Sequence, residues 1–294
     1  MLPNTDLLEV IMATFTNQAT LRYNGNVVNS NITTGELVEV LSATKTAVIN
    51  TYTQGSEITY VIQIVNSGAI AFTGLTITDN LGEYPFGAGT LVPLDYVDGS
   101  IRYYINGVLQ TAPAVAAGPP LVISGLNVPA NGVTTVIYVA SANQYAPLDL
   151  ESVVTNTAII SGGGVTEITV TETVTPESGA NLTIAKSICP TTITENGQIT
   201  YTFVIQNTGN TPAIVADNVA ITDTFNPILT GLTVTFNDVL WTEGVNYTYS
   251  EATGEFATIP GQITIPAAVY AQDLVTGEWI VEPGVGVLTV TGTV

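Results

Sequence analysis

One sequence unit occurs twice in this chain, and its two copies are out of phase. In the first copy a lysine segment is followed by a T-Y run that ends in N-x-G, by an L-T-I-T-D segment and finally by N-T-A. The second copy repeats the first three segments in the same order, and the sequence reaches Val294 before any N-T-A segment. The matched segments are 41–47, 59–68, 75–79 and 153–158 in the first copy, and 182–186, 200–209 and 219–223 in the second.

A segment like the missing one, F-T-N-Q-A, stands near the other end of the chain, at residues 15–19. The spacing agrees, because Asn17 precedes Lys45 by 28 residues and Asn156 precedes Lys186 by 30. The N-terminal segment therefore resembles the segment that ends the first copy of the unit. We expect such a chain to complete its second unit only head to tail, with the N-terminal segment of another copy.

Short runs of alternating apolar and polar residues, rich in Thr, Val, Ile and Gly, predict an all-β protein with little helix. Several short strands in each copy favour two immunoglobulin-like Greek-key β-sandwich domains, and 294 residues suit two domains of ordinary size. Residues 1–42 are expected to form an N-terminal tail and a donor β-hairpin, with strands at 13–23 and 31–40. Residues 43–178 are expected to form a complete sandwich that ends in a linker at 175–179. Residues 179–294 are expected to form a sandwich that lacks its final hairpin.

Composition excludes several classes of partner. The net charge is −20, and only Arg22, Lys45, Arg102 and Lys186 are basic. Nucleic acids and anionic membranes are bound through lysine and arginine, so neither is an expected partner. No apolar run reaches the roughly 20 residues that span a bilayer, and the N-terminus lacks the basic region of a signal peptide. The single cysteine, Cys189, excludes an internal disulfide and is predicted to be a half-buried apolar residue, with pairing between subunits as the alternative.

The order of these segments resembles a known family. The pattern K-x-A, G-x-x-x-T-Y-x-x-x-x-x-N-x-G, V-x-I-T-D and N-T-A is similar to the conserved repeat domain of bacterial surface proteins, from about Thr14 to Val294. The resemblance implies tandem immunoglobulin-like sandwiches of cell-surface and spore-associated proteins, particularly of Gram-positive bacteria. The lysine, T-D and N-T-A segments are its most specific parts. The second copy departs from the pattern because it has no final segment.

Three polar residue types fall on the apolar faces of the predicted strands. Side chains alternate across a strand, so every second residue shares a face. Both lysines of the chain occupy the same repeat position. A buried charge costs several kcal/mol unless a partner is present, so these residues predict a site in each unit. The predicted sites are Lys45, Asp79 and Asn156 in the first unit, and Lys186, Asp223 and the N-terminal Asn17 in the second.

These residue types permit two chemical states. In the first, a desolvated neutral lysine attacks the asparagine amide, ammonia leaves and an isopeptide bond forms, while the buried aspartate shuttles protons. Such Lys–Asn bonds with an acidic catalyst occur in the immunoglobulin-like domains of Gram-positive surface adhesins, which these repeats resemble. In the second, lysine and aspartate remain a buried ion pair and the asparagine binds backbone. Burial alone does not distinguish the two states.

The sequence predicts no other chemistry. It has no histidine, which excludes histidine-based hydrolytic triads, and it has no phosphate-binding loop. We expect no cofactor, no metal and no enzyme activity toward external substrates. Two pairs of acidic residues, Asp95 with Asp98 and Asp217 with Asp223, are interpreted as solvated surface acids, with calcium binding as the alternative.

The out-of-phase repeat predicts strand donation. An unfinished sandwich leaves an open sheet edge that invites a strand from another chain. We expect the N-terminal hairpin to enter the second domain of the next subunit, with Phe15, Ala19, Leu21 and Tyr23 as anchors. Because the two joined surfaces differ, repetition of this contact gives a filament.

The predicted function is therefore a structural subunit of a bacterial surface filament or pilus, outside the cell and on the cell or spore surface. Its one predicted partner is another copy of itself. The N-terminus without a signal peptide suits assembly inside a sporulating mother cell. One alternative is a fragment of a multi-repeat surface adhesin or stalk without self-assembly. A further alternative is a glycan- or calcium-binding module.

Overall fold

The computed structural model describes residues 12–294, except for the side chains of residues 12–13 and 36–38. The tail predicted at the start of the chain lies outside these residues. Within them the protein is all β, which confirms the predicted fold class, and its one helix is a short 3-10 turn at Val215–Asp217. None of the helical structure in this range is long and apolar enough to cross a membrane.

The first four strands form a two-stranded antiparallel ribbon. Asn24 and Gly25 have φ angles of 44° and 82° and make the turn, as expected for an Asn-Gly hairpin. The second strand of the ribbon begins at Asn26 and not at 31 as predicted, because this tight turn starts pairing at once. Two residues at 18–19 oppose three at 30–32, so a bulge interrupts the ribbon. The strands are β1 Met12–Asn17, β2 Thr20–Tyr23, β3 Asn26–Asn29 and β4 Thr33–Val38.

The first domain contains fourteen strands around one apolar core. Its strands are β5 Leu41–Ala47, β6 Thr51–Tyr52, β7 Glu57–Asn66, β8 Phe72–Asp79, β9 Tyr84–Phe86, β10 Gly89–Leu91, β11 Leu94–Tyr96, β12 Arg102–Ile105, β13 Val108–Leu109, β14 Ala114–Ala116, β15 Leu121–Val128, β16 Gly132–Ala142, β17 Val154–Gly162 and β18 Ile168–Pro176.

Twelve of these strands build two facing sheets, and β9 and β10 pair with each other as a separate hairpin. One has the order β13-β12-β16-β7-β5, with β11 also paired to β16, and the other has the order β14-β15-β8-β17-β18-β6. Every second residue of β7 and β16 is buried between the sheets, which is the alternation that the sequence shows. The linker predicted at 175–179 is shorter, because Thr175 and Pro176 pair with β6.

The second domain repeats one sheet in full and the other in part. Its sheet β19-β20-β28-β22-β23 follows the order β5-β7-β16-β12-β13 of the first domain, while its other main sheet contains only β21-β25-β24. The strands are β19 Leu182–Cys189, β20 Gln198–Asn207, β21 Thr222–Thr224, β22 Thr230–Phe236, β23 Val239–Leu240, β24 Tyr247–Tyr249, β25 Glu255–Thr258, β26 Val269–Gln272, β27 Trp279–Glu282 and β28 Gly284–Thr293.

The missing part of the second domain corresponds to β17, β18 and β6. Strand β8 pairs with β15 on one side and with β17 on the other. Its counterpart β21 pairs with β25, and no strand of the described chain pairs with its other side. Strand β18 packs against β5, whereas β19 is uncovered, with Ile184 56% and Ile188 39% exposed. An open edge and an uncovered apolar face therefore adjoin in this domain.

A hairpin inserted into the second domain joins it to the first. The segment between Pro129 and Gly132 has two residues, whereas 267–283 separate the matching Pro266 and Gly284. This longer segment contains the paired strands β26 and β27, and two hydrogen bonds connect it to the first domain. Gln272 Nε2 donates to Tyr84 Oη at 2.8 Å, and Trp279 N donates to Gln144 O at 3.0 Å.

Candidate functional site

The first domain holds a fully buried ion pair that spans its two sheets. Lys45 lies on β5 in one sheet, and Asp79 ends β8 in the other. Lys45 Nζ lies 2.7 Å from Asp79 Oδ2, and both side chains have 0% exposure. Asp79 Oδ1 accepts a further hydrogen bond from the backbone N of Leu81 at 3.0 Å. The aspartate is thus held on both oxygens.

A tyrosine connects this ion pair to the predicted asparagine. Tyr138 Oη donates to Asp79 Oδ2 at 2.6 Å, and Asn156 Nδ2 donates to Tyr138 Oη at 3.0 Å. Tyr138 lies on the core face of β16, and Asn156 lies on that of β17, so Lys45, Asp79 and Asn156 belong to one buried cluster. Sequence reasoning missed Tyr138. Its signal was a tyrosine on the buried face of a strand whose other members are small or apolar apart from Thr134.

A second tyrosine lies on the same cluster. The rings of Tyr60 and Tyr138 stack with centroids 5.4 Å apart, and Lys45 Nζ lies 5.0 Å from the centroid of Tyr60. Such a ring face attracts a cation. Tyr60 Oη and Asn156 Oδ1 are both buried, and neither has a hydrogen-bond partner among the described residues. A buried carbonyl oxygen without a donor is costly, so this amide is held less firmly at its oxygen than at its nitrogen.

Burial sets the protonation of the cluster. It lowers the pKa of Lys45 from 10.5 to about 8, although the nearby charge and hydrogen bond of Asp79 act in the opposite direction. Burial also raises the pKa of Tyr138, and the adjacent Asp79 charge adds to that rise. A neutral amine is therefore accessible near neutral pH, while the tyrosine keeps its proton.

The second domain holds the matching pair in a more open setting. Lys186 Nζ contacts Asp223 Oδ2, and their side chains are 39% and 19% exposed. The ammonium lies 4.5 Å from the ring centroid of Tyr201, and Phe203 and Phe225 flank it. The pair is open to solvent because the described second domain has no counterpart of β17 and β18, the strands that cover Lys45 and Asp79 in the first domain.

The N-terminal ribbon carries the remaining predicted residues, and it does not reach Lys186. Asn17 and Ala19 are exposed, and the anchors Phe15, Leu21 and Tyr23 have 59%, 63% and 53% of their surface exposed. In the part of the ribbon whose side chains are described, the hydrogen bonds join the ribbon to itself. In the single chain Asn17 is therefore separate from the other two members of its predicted site.

Two further predictions concern single residues and acids. Cys189 is exposed at the end of β19, so the prediction of a half-buried cysteine is wrong. The cause is again the uncovered face of that strand. Across residues 12–294, no three acidic, histidine or cysteine side chains gather as a metal site would require.

Comparison with known proteins gives structural likeness at low identity. No protein-family model and no curated protein matches the sequence. The structure is similar to BcpA, the major pilin subunit of Bacillus cereus, with 11% identity and TM-score 0.33, over 57% of this chain and 49% of that one. It is similar to the pilus backbone RrgB of Streptococcus pneumoniae, with 12% identity and TM-score 0.32, over 83% of this chain and 55% of that one.

A third similar structure is a C-terminal fragment of the major pilin GBS80 of Streptococcus agalactiae, with 12% identity and TM-score 0.34, over 84% of this chain and 91% of that one. The chain spans about half the length of BcpA and RrgB, at 49% and 55%. These values are too low to carry a function from those proteins to this one.

Proposed function

We propose that this protein is a structural subunit of a bacterial surface filament, on a cell or a spore. Each subunit donates its N-terminal ribbon, 12–38, to the second domain of its neighbour. The observation that carries the proposal is that, within the described residues, one chain contains both a ribbon that pairs only with itself and a sheet with an open edge. Exposed edges of this kind are completed by added strands in other donor-strand systems.

The first domain supplies the expected register of the contact. There, Ala158 of β17 lies opposite Asp79 of β8, and Ile160 lies opposite Ile77. Aligning Asn17 with Asn156 and Asp223 with Asp79 transfers that pairing to the second domain. The donated ribbon then sets Ala19 opposite Asp223 and Leu21 opposite Ile221, with Asn17 beside Lys186.

Burial of the donated face provides the stabilisation. Leu21 and Tyr23 share a face of β2 by alternation, and both they and Phe15 are more than half exposed in the single chain. Burying a large apolar side chain contributes about 1.5–3 kcal/mol, and Ile184 and Ile188 of the acceptor add their own area. The backbone of β21 gains hydrogen bonds at the same time. Together these terms exceed the cost of docking a ribbon that is already paired.

The position of the ribbon favours donation between chains. It joins the first domain at Leu41, which pairs with Asn66 at one end of the sandwich. The second domain leaves from Pro176, which pairs with Tyr52 beyond the other end of β5. The ribbon and its acceptor therefore lie at opposite ends of the first domain, with only residues 39–40 as a connection between β4 and β5.

The proposal has a covalent part. Lys45 with Asn156 within a subunit, and Lys186 with Asn17 between subunits, would form isopeptide bonds under Asp79 and Asp223. The geometry that supports it is the dry Lys45–Asp79 pair joined to Asn156 through one hydroxyl. The alternative state of the first site is the persistent buried ion pair, and the mass of the intact chain distinguishes the two by one ammonia for each bond.

Electron microscopy of the purified chain tests the strand donation. We expect fibres from the unaltered chain, and none from a chain that lacks residues 1–30 or carries Leu21→Asp. The matched control is Val27→Asp, because Val27 is 53% exposed and lies opposite Arg22 on the other face of the ribbon. Fibres in the control and their loss in Leu21→Asp support a one-faced insertion.

Three outcomes would contradict the proposal. A chain that stays monomeric at micromolar concentration favours a fragment of a multi-repeat adhesin or stalk, in which the covering strands belong to the same polypeptide. A fibre in which the ribbon lies free in solvent refutes donation even though the subunits polymerise. Binding in a glycan array or to calcium, without fibres, favours the binding-module alternative.

A further inference from the structure

The two tyrosines of the first domain were not part of the sequence hypothesis, and both belong to the buried cluster around the Asn156 amide. Asn156 Nδ2 donates to Tyr138 Oη at 3.0 Å. Two polar side-chain atoms of this cluster, Asn156 Oδ1 and Tyr60 Oη, are buried and have no hydrogen-bond partner among the described residues. Burial raises the pKa of Tyr60, and the Asn156 side chain opposes that rise.

We propose that Tyr138 is a proton relay for isopeptide formation, and that it delivers a proton from Asp79 to the departing nitrogen of Asn156. This inference rests on the covalent part of the proposed function. The atoms form one continuous chain from Lys45 Nζ to Asp79 Oδ2 at 2.7 Å, from Asp79 Oδ2 to Tyr138 Oη at 2.6 Å, and from Tyr138 Oη to Asn156 Nδ2 at 3.0 Å.

The first half of the reaction uses Asp79 as the base. Lys45 gives one proton to Asp79 and becomes a neutral amine, which attacks Cγ of Asn156. A bond forms between Nζ and Cγ, and the carbonyl electrons move onto Oδ1.

The second half uses Asp79 as the acid. The proton on Asp79 passes to Tyr138, whose own proton passes to Nδ2. Asp79 then takes the remaining excess proton from Nζ, the bond between Cγ and Nδ2 breaks, and ammonia leaves. Five hydrogens on the two reacting nitrogens become one on the new amide, three on ammonia and one on Asp79, so the atoms and charges balance without an oxidant or another co-reactant.

The second domain supplies an internal comparison. Tyr138 lies opposite Tyr60, and Val290 lies opposite the matching Tyr201. The second site thus keeps the counterpart of Tyr60 and has no hydroxyl at the relay position. An amide between Lys186 and Asn17 of another subunit is therefore expected to form more slowly than the amide between Lys45 and Asn156.

The test follows the mass of the full chain after cell-free synthesis. We expect the unaltered chain to lose the mass of one ammonia quickly at the first site, and Tyr138→Phe to do so at least about 10²-fold more slowly, the usual size of a general acid–base contribution. Tyr52→Phe is the matched control, because it removes another buried hydroxyl of the same core, one that donates to Pro147 O. It should react at the unaltered rate.

A readout that packing alone would not change is the pH profile. The proton that Asp79 relays comes from Lys45, so the rate in the unaltered chain should be level below the pKa of Lys45 and fall above it, while Tyr138→Phe should stay slow at every pH. Equal rates in Tyr138→Phe and the unaltered chain overturn the relay. Retention of both ammonias by the unaltered chain overturns the relay and the covalent reaction together, while fibre formation, scored separately, still decides the strand donation.

A second variant keeps the inference testable if Tyr138→Phe does not fold. Val290→Tyr places a hydroxyl at the relay position of the second site. We expect it to speed the appearance of detergent-resistant oligomers on denaturing gels, with Val290→Phe as the control of equal bulk. No difference between these two variants would overturn the relay.

Discussion

Tyr138 and Val290 occupy the same position in the two domains. Tyr138 lies opposite Tyr60 where β16 pairs with β7, and Val290 lies opposite Tyr201 where β28 pairs with β20. The first site has a continuous hydrogen-bonded path from Lys45 to Asn156, whereas the path from Lys186 in the second site ends at Asp223. The replacement of a tyrosine by a valine at this one position accounts for the difference. The two lysine sites share residues by repetition, but they are not chemically equivalent.

Replacing the two lysines should lower the free energy of unfolding by different amounts. Lys45→Ala leaves Asp79 buried without its cation, which typically costs about 3–5 kcal/mol in the free energy of unfolding. Lys186→Ala removes a partly exposed pair from the monomer, where such pairs contribute about 0–1 kcal/mol. Urea unfolding of both variants measures the difference. The side chain of Lys45 is 0% exposed and that of Lys186 is 39% exposed. Equally small losses of unfolding free energy in the two variants would contradict this difference in burial.

Cysteine pairs should report the register of strand donation. Ile159 lies opposite Thr78 in the first domain, so Thr20 should lie opposite Thr222 of the neighbouring subunit. In a Cys189→Ser background, a mixture of Thr20→Cys and Thr222→Cys chains should form disulfide dimers, because directly opposed strand residues lie within disulfide reach. Thr233→Cys on the opposite sheet is the control for Thr222→Cys and should not cross-link.

The chain that carries both cysteines separates the two routes of insertion. Donation between chains should convert it into a ladder of covalent oligomers on a non-reducing gel. A cyclised monomer instead would mean that the ribbon enters its own second domain.

The pH dependence of stability should reveal whether Lys45 is still an amine. Asn156→Ala removes the electrophile and keeps Lys45 titratable. The folded pKa is about 8 and the unfolded value is 10.5, so between them the unfolded chain holds more protons and the free energy of unfolding rises with pH. The rise should reach about 2 kcal/mol by pH 10, at about 1.4 kcal/mol for each unit.

The useful window ends near pH 10.0. Burial raises the pKa of Tyr60 and Tyr138 above that ordinary value, so the unfolded chain loses those protons first and stability falls as pH rises further. Urea unfolding of Asn156→Ala should therefore pass through a maximum, and the double variant Asn156→Ala with Lys45→Met should lack the rise. An unaltered chain that has formed the amide should also lack it.

The inserted hairpin should stiffen the joint between the two domains. Replacing residues 267–283 with Ala-Asn, the connection found in the first domain, removes the contacts of Gln272 and Trp279 with Tyr84 and Gln144. We expect both domains to remain folded and small-angle scattering to show a wider range of domain separations. Leu274→Ser changes a side chain that is 89% exposed at the hairpin tip and should leave the scattering unchanged.

The all-β fold and the members of the lysine cluster could be predicted from the chain because both depend on local patterns. Alternation tells which residues of a strand share a face, and repetition assigned Lys45 and Lys186 to the same position. The Asn-Gly turn at Asn24 is local in the same sense, since it depends on two adjacent backbone conformations. Strand ends were less accurate, as at Asn26 and Pro176, because pairing with a partner strand decides them.

The sequence by itself determined the repeat, its phase and the residue types that a core would have to accommodate. Only the tertiary structure decided that Tyr138 bridges Asp79 and Asn156, because residues from β8, β16 and β17 meet only when two sheets pack face to face. It also decided that Lys45 is dry while Lys186 is partly exposed. The physical reason is that desolvation depends on which strands cover a residue, and those strands are remote in sequence.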